Sequence, residues 1–357
     1  MAFDPLAFHE RAVKTPSDES SDAMRELVVE TLREQGAEPT IDGAGNTLAE
    51  TSGAASGPHL VLNTHLDTVP PHVPFRRDGS IVYGRGACDA KGPLAALVAA
   101  FLATDPDRGR LTLALTPDEE TTSAGAAALD LDGDGYIVGE PTGLDVCTAA
   151  KGRFEGTITI HGTNAHAADP AAGVNAVAAV EDVLSAIRSF DRQRGPDTHA
   201  MLGRPTLTPT VVRGGDAVNQ IPDRCTITVD RRSVPPETAA GFEAALNDHL
   251  VEQTDADCEF SLTDRETPFL EAFATPEESD ITAAVTAAGG GELRPFTAAT
   301  EASYFAPAPT VVFGPGVLTD EEGAVAHADR EYVRQPAIER AADIVQNALG
   351  SLLGSPS

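Results

Sequence analysis

Tryptophan is absent from this 357-residue chain, and lysine occurs only as Lys14, Lys91 and Lys151. With 25 basic residues against 55 acidic ones, for a net charge of −30, no basic footprint remains for nucleic acid or an anionic membrane surface. The 4 cysteines, Cys88, Cys147, Cys225 and Cys258, lie far apart with no C-x-x-C pair. Neither a cysteine zinc site nor a disulfide framework is suggested, and the thiols read as small buried side chains in a reducing cytosol. No 18-residue apolar run occurs, and the start lacks the basic-then-apolar pattern of an export signal. The expectation is a soluble, cytoplasmic protein.

What is present is acid, spread over all regions rather than gathered in one tail. Many carboxylates and few lysines resemble the proteins of salt-accumulating halophiles, where self-repulsion is screened over roughly 3 Å at 1 M salt. An ordinary acidic enzyme that is stable in dilute buffer is the alternative. The chain is too long for one small core and suits about two domains.

Near the start, Ser20 or Ser21 can cap a helix carrying Met24, Leu27, Val28, Thr31 and Leu32, with Gly36 available to end it. HLVLNTH (59–65) reads as a buried strand, Pro93 to Thr104 as a helix, and LTLALTP (111–117) and DGYIVGEP (134–141) as further buried strands. Strands alternating with helices imply a mostly parallel α/β sheet covered on both faces. From about Arg153 the order becomes βαββαβ: strands at 154–162, 206–215, 225–233 and 258–266, with helices at 173–190 and 236–254. That is the ferredoxin-like pattern of a two-layer α+β insert. After TPFLEAF (267–273) the α/β rhythm returns, with a strand at 309–316 and a last helix from Pro336 to Leu353. The expected division is therefore 1–150 with 267–357, interrupted by 151–266.

Five short strings carry the chemistry: NTHLDTV (63–69), GRGACDAKG (84–92), TPDEETT (116–122), GEPTG (139–143) and GVLTDEEGAVAHADREYV (316–333). His65 and Asp67 end a buried strand two residues apart, so both project to one face, His65 as a metal ligand and Asp67 as the acid that fixes its tautomer. Alone, such a pair is more often a polar strand end than a ligand. Asp89 precedes a helix start, where it serves either as a cap or as a bridge between two cations roughly 3.5–4 Å apart. No GK[ST] follows those glycines, which excludes a phosphate loop. Glu119 and Glu120 point in different directions, so one can bind metal while the other accepts a proton, unless the turn is only a solvated acidic one. Glu140 ends the next strand, and His327 sits in a loop. Cys88 precedes Asp89, yet no adjacent base motif supports a nucleophile.

Jointly and in this order, the strings resemble the zinc-dependent M20 peptidase and deacylase family, over nearly the whole chain. The resemblance implies a zinc-exopeptidase-like catalytic domain interrupted by a dimerisation or lid domain, and a homodimer. It implies two Zn2+, with Co2+ able to substitute: His65, Asp89 and Glu140 on one, and Asp89, Glu120 and His327 on the other. Glu119 would be the general base and Asp67 the partner of His65; the peptide after Asp89 would be cis. His166 in TNAHAADP matches the histidine that stabilises the oxyanion, commonly in the partner subunit's site. Asn219, Arg232, Arg153 and Thr300 match substrate-contacting positions.

The implied reaction is hydrolysis of an amide in a small N-acyl amino acid, with no nucleic acid or membrane partner. An arginine pocket suits the α-carboxylate as well as a succinyl tail, so charge does not choose between them. The TEAS segment (300–303) resembles acetylornithine deacetylases, while DAKGPL (89–94) resembles archaeal deacylases of lysine or arginine biosynthesis. Succinyl-diaminopimelate desuccinylase is favoured, ahead of acetylornithine deacetylase and of a dipeptidase or carboxypeptidase. A non-catalytic binding protein of the same fold stays open, although adjacent Glu119 and Glu120 argue against it.

Overall fold

A computed structural model describes residues 3–354. The chain forms two compact units, one of Met1–Ala149, Thr275–Phe296 and Thr300–Ser357, the other of Ala150–Ala274 with Thr297–Ala299.

The first unit is built on a mixed, mostly parallel sheet. Strands Arg108–Thr116, Ala55–His65, Gly135–Val138 and Thr310–Val312 run side by side in parallel. Antiparallel strands flank them, Thr47–Ser52 on one edge and Val146–Ala150 on the other. The continuous apolar runs read as buried strands become the central ones: seven consecutive residues from His59 to His65 are buried. Helix Lys91–Ala103 is apolar nearly all round and sits against helices Pro5–Lys14 and Gln335–Leu353, as a helix without a polar face must. Both sheet faces are thus covered, and loops leaving the carboxyl ends of the parallel strands are free to build a site. Among the described residues, no helix is long and apolar enough to cross a membrane.

The second unit is a four-stranded antiparallel sheet ordered Thr206–Gly214, Arg224–Ser233, Gly152–His161, Cys258–Leu262. In chain order that is second, third, first, fourth, the ferredoxin-like arrangement. Burial alternates along Gly152–His161 and Arg224–Ser233, so one face is covered, by helices Val180–Gln193 and Ala239–Gln253. Its core is aromatic: Phe242 meets Phe190 at 5.7 Å and Phe260 at 5.3 Å, both edge to face. Arg231 faces into that core fully buried, bonded to Glu237 by two nitrogens and paired with Asp191. The first helix starts at Val180, not at Gly173 as its composition suggested. Val174 bridges Thr163, and Asn175 Oδ1 takes the N–H groups of Val177 and Ala178, closing a turn before the helix begins.

Candidate metal centre

His65 closes its strand and is the Cα partner of Thr116, which closes the neighbouring one. The loops that follow therefore leave the sheet side by side. Asp67 lies on the first and Glu119–Glu120 on the second. The carboxylate of Asp67 accepts the backbone N–H of Glu119 and of Glu120, each at 3.0 Å. His65 Nδ1 is 3.0 Å from the Asp67 carbonyl oxygen and 3.3 Å from Oδ1. The nearer partner of the ring is thus the backbone oxygen, and the carboxylate's chief bonds fix the acidic turn.

Asp89 arrives on the loop after strand Ile81–Tyr83. Gly86 has φ +81°, and a Cβ there would stand 2.8 Å from Lys91 Cδ and from Thr68 Cγ2, so only glycine fits. The Asp89–Ala90 peptide is cis. Asp89 Oδ1 is 3.4 Å from His65 Nε2, and Oδ2 is 3.2 Å from His327 Nε2. His327 Nε2 also lies 3.0 Å from Glu120 Oε1. His327 holds φ +64°, a left-handed backbone that costs a non-glycine residue about 1–2 kcal/mol. Ligand atoms of His65, Asp89 and Glu120 all lie within 4.8 Å of one another.

Glu140, just past strand Gly135–Val138, accepts the Thr300 hydroxyl at 3.1 Å through Oε1. Thr300 is wholly buried, turned toward this acid and away from solvent. Its neighbour Glu301, which the sequence reading passed over, is buried as well and accepts from Thr116 Oγ1 at 2.6 Å. A lone acid in a string of small residues, directly after a threonine, was its only sequence signal.

Crowded acids and imidazoles perturb one another. Burial pushes the Glu119 carboxyl well up, with Glu140, Glu301 and Glu120 adding to it against His65. Glu140 is raised to about 8 by burial and then by Asp89. Burial works the same way on Asp89, but the neighbouring imidazoles of His327 and His65 win and hold it far below the usual range. His327 is lifted to about 10 by Asp89 and Glu120. Buried Cys88 has its thiol pushed well up, the opposite of an activated nucleophile.

The donor set suits a divalent cation. His65 Nε2 is buried with no hydrogen-bond partner, beside the carboxyls of Glu119 and Glu140, which burial and neighbouring acids push up. Two imidazoles with carboxylates match zinc or a similar first-row metal.

In the second unit, Ala165–His166 pairs with Gln220–Ile221, bringing His166 and Asn219 together on one small ribbon. His166 Nδ1 accepts the Ala168 N–H at 3.1 Å, which leaves Nε2 as the proton-bearing nitrogen of the neutral ring. Arg153 and Arg232 are Cα partners on adjacent strands, and both face Asp230, at 3.6 and 2.8 Å. The arginine pair expected to meet a carboxylate is therefore partly neutralised within the protein.

A model of peptidase family M20/M25/M40 matches residues 61–351. This chain belongs to that family. A candidate LysW-lysine/LysW-ornithine hydrolase of Pyrobaculum aerophilum is 36% identical over 239 residues, covering 66% of this chain and 67% of the relative. The crystal structure of aminopeptidase PepT from Bacillus cereus matches with a TM-score of 0.78 over 98% of both chains at 18% identity. Bacillus subtilis YXEP, described as a dinuclear metal binding peptidase from the M20 family, matches at 0.70 and 14% identity, over 98% of this chain and 97% of that one. Both likenesses confirm the α/β catalytic fold with its inserted second unit. The M20 chain is accordingly a hydrolase of amide bonds, with a candidate metal site at His65, Asp89 and Glu120.

Proposed function

We propose that this M20 hydrolase frees the amino group of a lysine- or ornithine-type amino acid from an amide, using two divalent cations, in the first instance Zn2+. The observation that carries the reading is Glu119: a carboxylate beside the ligand cluster, fixed by Asp67 through its own N–H and through that of Glu120.

His65, Asp89 and Glu140 would hold one cation, and Asp89, Glu120 and His327 the other. When bound, the cations would supply Lewis-acid polarisation of the acyl carbonyl and of the attacking water. Glu119, its carboxyl raised by burial and neighbouring acids, takes the proton of that water and returns it to the departing amine. His166, which the family resemblance assigns to the partner subunit's site, would offer Nε2–H to the oxygen on which negative charge develops. Asn219 beside it, with Arg153 and Arg232, contacts the substrate. The second unit serves as the dimerisation unit; its edge strand Thr206–Gly214 leaves Val211 40% and Val212 51% exposed.

The relative named for LysW-lysine and LysW-ornithine moves the preferred substrate away from N-succinyl-diaminopimelate. The test is one assay in molar salt with Zn2+ or Co2+, with and without chelator. It offers LysW-lysine, LysW-ornithine, N-succinyl-diaminopimelate, N-acetylornithine and dipeptides. Chelator-sensitive release from the LysW conjugates is expected. Fastest turnover of another amide reassigns the substrate, and no turnover of any supports the binding-protein alternative.

A further inference from the structure

Two charged residues outside the ligand set are more deeply buried than the ligands they adjoin. Arg85, four residues before Asp89, and Glu331, four residues after His327, form an ion pair at 2.9 Å with side chains only 1% and 0% exposed. Each reaches across to the other's loop. Glu331 Oε1 accepts the backbone N–H groups of Cys88 and Asp89, both at 3.1 Å. Arg85 Nη1 donates to the carbonyl oxygen of Ala328, next to His327, at 3.3 Å, and its Nε donates to Pro71 at 3.2 Å. The Gly84 N–H completes the pairing on the Glu331 carbonyl at 3.1 Å.

An ion pair this dry is a poor source of net stability, because removing both charges from water costs about as much as their attraction returns. Position is a better account of it. Asp89 comes from the loop after Tyr83 and His327 from the far end of the chain; the antiparallel pair Ile81–Tyr83 with Tyr332–Arg334 joins these loops at their bases, several residues from either ligand. Beyond that ladder the clasp ties the loops twice more, next to the ligands themselves, once through each charged group. We infer that Arg85 and Glu331 are positioning residues that set the separation of Asp89 from His327, and with it the second cation seat.

This inference rests on Asp89 and His327 being cation ligands. Its test reads cation affinity directly: chelator-stripped full-length chains are titrated with Co2+ by visible absorption and with Zn2+ by calorimetry. The variants are Glu331→Gln, Arg85→Lys and, as a control, Glu237→Gln, which breaks a comparably buried ion pair in the second unit. Glu331→Gln should lose on the order of 10- to 100-fold in affinity for one of the two cations, the usual cost of removing a group that orients a ligand. Arg85→Lys should lose less, and Glu237→Gln nothing. Should Glu331→Gln not fold, Arg85→Lys carries the test alone. Wild-type affinity for both cations in every folded clasp variant, or an equal loss in the control, overturns the clasp. A wild-type chain that binds no cation overturns the proposed function instead.

Discussion

The Thr116 hydroxyl donates a hydrogen bond to Glu301 Oε2 at 2.6 Å, while the other oxygen of that carboxyl is buried with no partner. An ionised carboxylate with one bond in so dry a place is costly, and burial pushes Glu301 to about 8 against the help of Thr116 and His65. The turn from Thr300 thus offers two supports to the acidic cluster, the Thr300 hydroxyl on Glu140 and a protonated Glu301 beneath Thr116.

Replacing Glu301 by Gln keeps the shape and removes the titration. The folded carboxyl is raised from 4.5 to about 8, so below 4.5 folded and unfolded chains are both protonated and nothing is gained or lost. Between 4.5 and 8 the unfolded carboxyl ionises while the folded one does not, so stability falls as pH rises, by at most about 5 kcal/mol in total. In chelator-treated protein, urea melts of Glu301→Gln should be flatter than wild type over that window and more stable at its upper end. Identical slopes would show that Glu301 ionises freely.

Glu119→Gln separates chemistry from binding. It removes the proton acceptor and leaves every proposed ligand, so both cations should bind normally while kcat falls on the order of 10²- to 10⁴-fold. Metal analysis alongside turnover is the check. Lost metal would make Glu119 a ligand, and a normal rate would remove it from the reaction.

Thr300→Val distinguishes a ligand support from a substrate contact. The valine leaves Glu140 without its hydroxyl, a loss of about 1–3 kcal/mol for a buried acceptor, so cation affinity should drop with KM little changed. A raised KM at wild-type cation affinity would return Thr300 to the substrate.

Local signals made much of this legible in the sequence. The unbroken apolar run to His65 declared a central buried strand, and strands ending in His or acid declared loops at the carboxyl edge of a parallel sheet. The order of strands and helices after Arg153 was enough for the ferredoxin-like insert. Pairings across long stretches of chain stayed hidden. Glu331 and Arg85 stood in the strings around His327 and Asp89, but a charged residue in so acidic a chain carries no mark of burial. Nor does sequence show that Asp230 would sit between Arg153 and Arg232, since that contact is set by strand register.

Asp67→Asn is the sharpest test of how the acidic turn is held. The carboxylate accepts from two consecutive amides, whereas an asparagine can accept from one and must turn its NH2 toward the other. One part-buried N–H is then unmet, and the turn carrying Glu119 and Glu120 shifts as a whole. Because one residue binds the cation and its neighbour moves the proton, both readouts should fall together: cation affinity by on the order of 10- to 100-fold, and kcat at saturating metal as well. Glu119→Gln moves only the second, and Thr300→Val chiefly the first. If Asp67→Asn lowered kcat while leaving affinity untouched, Asp67 would act through His65 alone and the anchoring of Glu120 would have no consequence for the metal.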